Sequence, residues 1–494
     1  MTRGPQGLGV PTFSASDSIT LAASRYRRER SAHWDHLALL KRSWAGAFYR
    51  RSLTRIYRAV IPTGLRVLEI GCGRGDLLAA LAPSFGVGVD FSAPTLAQAA
   101  AAHPGLHFVR ADAHDLPLKG PFDVIVLSDL VNDLWDVQAV LARLTPLVRA
   151  RSRLIVNVYS RLWELPLRLV RFLRLGRPDT GRNWLTVDDL KNLLRLSGFE
   201  SVTRSREILC PVPIPLLSGL LNRGLVKIWP FLHLALSNFI IARPSPRPLQ
   251  GRGPAAPSVS VIVPMRNESG NVAGLLARTP EMGAGTEIIF VEGHSRDDTY
   301  AAVERALAAH PERRCRLLKQ TGEGKGDAVR LGFAQASGNV LMILDADMTV
   351  PPEDLSRFYD ALVSGRGELV NGVRLVYPRQ RQSMRFLNML GNKTFGLAFS
   401  WLLGQPVKDT LCGTKALWRR DYELIAGHRD SFGDFDPFGD FDLLFGAARF
   451  GIKIVDMPIR YQERRYGTTN IRRWRHGFLL LRMTFFAARR LKFR

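Results

Sequence analysis

Residues 243–257 read RPSPRPLQGRGPAAP, and the chain begins a fold on both sides of them. At LRVLEIGCGRGDLLAAL (65–81) an apolar strand runs into a glycine turn and then a helix. At SVSVIVPMRNESGNV (258–272) an apolar strand runs into a polar turn and a helix again. Proline and glycine at that density continue neither a helix nor a strand. The chain must therefore build two folds, and its 494 residues suffice for two cores. The division expected is a first domain over 1–245, with an apolar extension at 206–245, and a linker over 246–257. A second domain follows over 258–470, and a basic amphipathic segment closes the chain at 471–494.

Apolar residues make up 46% and charged residues 23%, which excludes a disordered chain. The net charge of +25 attracts phosphates and anionic surfaces. A GC-rich genome accounts for arginine over lysine but not for the excess of bases over acids. Cys72, Cys210, Cys315 and Cys412 stand far apart, which argues against a zinc site and for a reducing cytoplasm. The first residues, MTRGPQGLGVPTFSASDS, lack the apolar core of a signal peptide. No charge-free apolar run reaches the roughly 18 residues of a spanning helix.

In the first half, Gly71, Gly73 and Gly75 let the backbone pass close to a ligand, and a helix starting near Asp76 aims its free N–H groups there. A second strand, FGVGVD, ends in Asp90, about 20 residues on, where an acid meets a ribose hydroxyl. The spacing is G-x-G-x-G with Glu69 just upstream, not a dinucleotide fingerprint. Strands FDVIVLSDL and RLIVNVYS continue an α/β pattern. The helix TVDDLKNLLRLSGF has Thr186 as cap, Asp189 three residues on, and Gly198 as its stop. Over roughly 60–205 this half resembles class I S-adenosylmethionine-dependent methyltransferases. The resemblance implies that Glu69 and the glycines hold the methionyl part of the cofactor. Asp90 then binds the ribose, and Asp112 with Ala113 flank the adenine. His114 is the histidine to test as a base; the methyl acceptor is not legible.

In the second half, NVLMILDADMTVPPEDL is a buried strand ending in Asp345 and Asp347. Two carboxylates at i and i+2, at the carboxyl end of a buried parallel strand, lie in the usual ligand crevice. There they suit Mg²⁺ or Mn²⁺ completed by a diphosphate. VIVPMRNE, GKGDAVRLGF, DADM, DTLCGTKAL and IVDMPIRYQERRYG follow in order. This half resembles family 2 glycosyltransferases of the inverting GT-A type, nearest the dolichyl- and polyprenyl-phosphate sugar transferases. The resemblance implies a nucleotide-sugar site lined by Pro264, Asn267 and Glu268, with Lys325 also on the substrate. Arg464 and Arg465 meet phosphate, and Asp409 shapes the acceptor pocket. Relatives carry two acids where this chain has Glu292-Gly293, so base recognition falls to Glu292. Thr349 stands where some relatives offer a glutamine. Asp440 and Asp442 open a helix, as caps or as a general base; a hydroxyl acceptor needs that base, and a lipid phosphate does not.

The expected fold class is α/β: two doubly wound Rossmann-like domains joined by a Pro/Gly-rich linker. The expected activity is sugar transfer to a polyprenyl phosphate, or to a hydroxyl of a glycan or glycolipid, with methylation by the first half. A third reading makes the first half a non-catalytic docking module. The tail, IRRWRHGFLLLRMTFFAARRLKFR, carries eight Arg/Lys and no acid. It fits an interfacial helix on an anionic membrane, or a helix packed on its own domain. No nucleic-acid-reading module is present. The location expected is the cytoplasm, peripheral on the inner face of the cell membrane.

Overall fold

The computed structural model describes residues 15–40, 44–173, 183–246, 256–374, 386–429, 441–459, 461, 462, 464, 466 and 481–493. Asp440, Arg465, linker residues 247–255 and tail residues 471–480 lie outside the described residues.

The first sheet is built from β1 (Arg66–Ile70), β2 (Phe85–Asp90), β3 (His107–Arg110), β4 (Phe122–Ser128), β5 (Val148–Tyr159), β6 (Phe199–Glu207) and β7 (Ser237–Pro244). Their order is β3-β2-β1-β4-β5-β7-β6. The first five are parallel, and β7 runs antiparallel to both β5 and β6. Strand order reverses between β1 and β4, which opens a crevice past their carboxyl ends. The helix Val187–Leu196 has the expected capping box of Thr186 and Asp189.

The second sheet comprises β8 (Val259–Met265), β9 (Thr286–Glu292), β10 (Arg314–Lys319), β11 (Val340–Ile343), β12 (Leu369–Val373), β13 (Lys415–Trp418) and β14 (Ile454–Pro458). Their order is β10-β9-β8-β11-β13-β12-β14, with β13 antiparallel to its neighbours. Here the reversal falls between β8 and β11. Every residue of VLMI in β11 is buried, as a strand covered on both faces requires.

The 206–245 extension ends in a strand: Ser237–Pro244 is β7, inserted between β5 and β6. Its apolar run is buried because it is interior to the sheet. A further helix, Phe386–Leu403, sends Phe399, Leu402 and Leu403 into the second core. Tail residues Met483, Ala487 and Ala488 pack into that same core.

The two halves are docked through buried charge. Arg153 on β5 reaches Glu368 at 2.7 Å and the Gly451 carbonyl at 2.8 Å. Arg243 on β7 binds Glu200 at 2.6 Å and donates to the Gly365 carbonyl at 2.5 Å. Lys453 pairs with Glu200, and its N–H donates to Glu368 at 2.9 Å. Arg151 grips Asp421 with two bonds, at 2.8 and 3.1 Å. The two halves, though tethered by a Pro/Gly linker, are thus joined by direct contacts. Glu368→Ala leaves two buried guanidinium groups without their shared carboxylate, and should cost about 3–5 kcal/mol. Urea unfolding of the full chain measures this; an unchanged midpoint would show the network to be screened by water.

Candidate active sites

The first crevice holds a cavity of about 950 Å³. Glu69, Gly71, Gly73, Asp90, Asp112 and Ala113 all line it, as the sequence implied. Gly75 caps the helix Asp76–Ala80 with φ of 74°. A Cβ on Gly75 would strike the Phe108 ring, whereas a Cβ on Gly73 (φ 54°) would meet nothing within 4 Å. The Gly73 turn therefore cradles open space. Its N–H donates to Asp90 Oδ2 at 2.9 Å, and Ser92 N–H donates to Oδ1 at 3.0 Å. These bonds fix Asp90 at the end of β2, where burial raises its carboxyl above the ordinary range.

Glu69, buried in β1, has one oxygen, Oε2, with no hydrogen-bond partner. Burial pushes its carboxyl up to about 8. A buried carboxyl oxygen without a partner is costly, and a cationic ligand group, by favouring the carboxylate, supplies what is missing. Cradle, orphaned carboxylate and ribose-type acid together fit S-adenosylmethionine.

Asp112 Oδ1 receives His114 Nδ1 at 2.7 Å, and the His114 N–H at 2.9 Å. His114 Nε2 accepts the Asp136 N–H at 3.2 Å. Both ring nitrogens are engaged, which makes His114 a strut rather than a base; the tautomer is assigned from these bonds.

Three wall residues went unread in the sequence. Asp129, just past β4, has φ of 55° and accepts Tyr49 Oη at 3.1 Å and Tyr159 Oη at 3.3 Å. A non-glycine residue held left-handed beside a cavity is a mark of functional strain. Tyr49 comes from the helix Trp44–Val60, whose Leu53, Ile56, Tyr57 and Val60 follow helical spacing. That periodicity was the available signal.

The second crevice gathers the carboxylates of two loops, those after β8 and β11. Asp345 pairs with Lys325 at 2.5 Å. Burial would raise its carboxyl, but Lys325, backed by Lys415 and Arg374, holds it below the ordinary range. Asp347 accepts Arg464 at 2.7 Å and the Thr349 hydroxyl at 2.7 Å. Arg464 also grips Glu268 at 2.7 Å, so one guanidinium bridges carboxylates from β8 and β11 loops. Asn267, with φ of 58°, accepts the Arg296 N–H at 2.7 Å and so shapes the loop after β8, behind Pro264.

Two of the expected substrate contacts have partners within the protein. Asp409 is wholly buried and held by Arg374 through bonds of 2.7 and 2.8 Å, so its carboxylate orients Arg374 rather than facing an acceptor. Glu292 is buried at the end of β9 and accepts the Ser295 N–H at 2.5 Å, which ties down the loop that follows. Asp442 is buried in the first turn of the helix Phe441–Arg449 and lies 3.3 Å from Arg429. Burial pushes the Cys412 thiol up to about 12, which leaves it a packed thiol.

Among the described residues no group of three or more His, Cys, Asp or Glu gathers as a metal site. The donor set is instead hard, anionic oxygens converging where a cation already sits, the Arg464 guanidinium. That suits a divalent ion whose remaining ligands come from a diphosphate. Lys415, buried, with its ammonium donating to the Cys412 carbonyl at 2.5 Å, was missed because a lone lysine in a sequence carries no sign of burial.

Residues 260–424 match the family model "Glycosyl transferase family 2", and residues 41–204 match a model described as "Methyltransferase domain". A dolichyl-phosphate hexose transferase of Haloferax volcanii is 30% identical over 42% of this chain and 83% of its own. A polyprenol monophosphomannose synthase of Mycolicibacterium smegmatis is 29% identical over 43% and 80%. An undecaprenyl-phosphate 4-deoxy-4-formamido-L-arabinose transferase of Pectobacterium carotovorum is 29% identical over 43% of this chain but only 62% of its own length, under two thirds. Two solved structures also align. Magnesium protoporphyrin IX methyltransferase from Synechocystis, with bound SAH, has TM-score 0.32, 16% identity and coverage of 46% and 100%. Glucosyl-3-phosphoglycerate synthase from Mycobacterium tuberculosis, with Mn²⁺ and UDP, has TM-score 0.36, 20% identity and coverage of 48% and 80%.

The protein is a two-domain transferase, with a methyltransferase fold in front and a GT-A fold behind. The chain belongs to glycosyltransferase family 2, with a methyltransferase domain as its N-terminal half.

Proposed function

We propose that the second half transfers a sugar, with inversion, from a nucleotide sugar to a lipid phosphate of the polyprenyl type, and that the first half transfers a methyl group from S-adenosylmethionine. The arrangement that carries the sugar reading is Asp345 and Asp347 at the β8/β11 reversal, set among Lys325, Lys415, Arg374 and Arg464. Cations in that number suit two phosphate-bearing substrates. A phosphate acceptor is already ionised, which fits a site where Asp409 is held by Arg374 and Asp442 lies against Arg429. Its oxygen bonds to the anomeric carbon as the bond to the diphosphate breaks, and the nucleoside diphosphate leaves with the electron pair. Asp345 and Asp347 would hold Mg²⁺ or Mn²⁺, which neutralises charge on that leaving group. Arg464 and Lys325 must give up part of their carboxylate pairing to admit the donor, and are then placed to bind its phosphates. The relatives named for polyprenyl and dolichyl phosphates support the acceptor class.

In the first half, Glu69, Gly73 and Asp90 would hold the cofactor, which supplies a methyl group on a good leaving group and asks chiefly for alignment. Tyr49, Tyr159 and Asp129 face the remaining cavity and would set the acceptor. This cavity supports catalysis over a docking role. The decisive assay incubates the whole protein with a panel of nucleotide sugars, Mg²⁺ or Mn²⁺, and polyprenyl phosphate. Mass spectrometry reads the product with and without S-adenosylmethionine. No sugar-bearing lipid under any donor would overturn the acceptor assignment.

Glu69 also gives the cofactor a pH signature. With its carboxyl raised to about 8, the folded chain keeps a proton that the unfolded chain releases at ordinary carboxylate pH. The stability from this group is full at acid pH and is lost as pH rises toward 8. A cationic ligand beside Glu69 favours the carboxylate, so cofactor binding near pH 7 should release a proton. Calorimetric titration in two buffers of different ionisation enthalpy detects it, and Glu69→Gln should release none. Equal heats in both buffers with the wild type would remove Glu69 from the site.

A further inference from the structure

Four segments from both halves expose large apolar side chains and contain no acid. The first is 165–173, in the helix Glu164–Phe172 and the residue after it, where Phe172 is 82% exposed. The second is 208–236, where Leu216 is 95% and Trp229 75% exposed. The third is 386–408, with Leu397 and Trp401 at the surface. The fourth is 481–493, with Leu481 and Phe485 at the surface.

They are contiguous. Trp163, just before the helix that carries the first segment, donates Nε1 to the Leu234 carbonyl at 2.8 Å, which sets that helix beside the second segment. Trp401 Nε1 donates to the Lys227 carbonyl at 3.1 Å, which ties the second to the third across the junction of the halves. Phe493 lies 6.0 Å from Trp401, ring to ring, and Lys492 lies 5.9 Å over the same ring. The fourth segment is thereby joined to the third. An apolar surface this extended on one protein marks an interaction site. The formal charges within these stretches are all basic, Arg223, Arg482, Arg489 and Arg490 among them, while Arg168 pairs with Glu164 just before the first stretch.

We propose that this apolar and basic surface, running across both halves, is the face on which the protein lies against an anionic lipid bilayer. Large rings and leucines enter the acyl boundary, and arginines meet lipid phosphates. The surface takes its purpose from the lipid-acceptor reading above, but its geometry stands without it. It also places the methyl cavity beside the bilayer. Leu167 and Val170 of the helix Glu164–Phe172 line that cavity, while Leu165, Leu169 and Phe172 of the same helix are exposed. A lipid-borne methyl acceptor would reach the cofactor past this helix.

Flotation on sucrose with vesicles of phosphatidylcholine alone, and of phosphatidylcholine mixed with phosphatidylglycerol, tests the assignment. The full chain should float with the anionic vesicles and much less with the neutral ones. The double variant Phe172→Glu, Trp229→Glu should lose more than about tenfold in partitioning. Both side chains are exposed, so circular dichroism and cofactor binding should match the wild type. Equal flotation of variant and wild type overturns the proposal, as does a wild type that ignores anionic vesicles. So does a concentration-dependent dimer, abolished in the variant, in place of flotation. Sugar transfer to a detergent-dispersed short polyprenyl phosphate separates the two readings. Transfer without flotation sinks the surface and keeps the acceptor; flotation without transfer does the reverse.

Discussion

Asp347→Ala should abolish sugar transfer, and added Mn²⁺ should not restore it. Asp347 sits two residues past Asp345 beyond a fully buried strand, locked by Thr349 and bridged through Arg464 to Glu268. Removing it takes away one of two acidic oxygen donors on that loop and leaves Arg464 held by Glu268 alone of that pair. The loss of leaving-group stabilisation should be several kcal/mol, about a thousandfold or more in turnover. Methyl-cofactor binding by the same sample is the control for folding, since Asp347 lies outside that cavity. Substantial turnover at high metal would show that Asp347 is no metal ligand.

Gly73→Val should reduce S-adenosylmethionine binding by more than about a hundredfold and leave sugar transfer largely intact. The backbone there has φ of 54°, which a β-branched residue adopts only under strain of about 1–3 kcal/mol. If the backbone holds, the new side chain fills the open cradle that a ligand needs. If it relaxes, the Gly73 N–H leaves Asp90 and the ribose end is lost. Both outcomes remove binding. Gly73→Ala should fall between the two. Calorimetry on the full chain reads the affinity, and circular dichroism the fold; retained affinity in a folded valine variant would place the cofactor elsewhere.

Both crevices were legible because each is written locally. A strand, a turn and a helix start are contiguous, so Glu69, Gly73, Asp345 and Asp347 are already adjacent in sequence to the elements that aim them. What escaped was written between distant segments. β7 reads as one more apolar stretch in a proline-broken region, and only its place between β5 and β6 explains its burial. Asp129 looks like any acid after a strand, until Tyr49 and Tyr159 close on it. Motif position cannot reveal that Arg374 already holds both carboxylate oxygens of Asp409, or that Glu292 accepts a backbone N–H. The linker misled in the same way: its composition describes the tether, not the surfaces that the tether brings together.

The guanidinium groups of Arg153 and Arg243 have a consequence for how such a chain can be taken apart. Both are buried, and both complete their bonding with Glu368 and carbonyls contributed by the other half. A methyltransferase half excised at the linker would carry Arg151 and Arg153 without their carboxylates, and Arg243 with Glu200 alone, at newly wetted strand ends. The glycosyltransferase half would keep Glu368 and Asp421 with no counter-ion from across the seam. Neither piece is then a portable cassette. Recombination that swaps one half for a homologue must carry the matching seam with it, so the arginines of β5 and β7 and the acids at 368 and 421 should be inherited as a unit, however freely the tether between them changes.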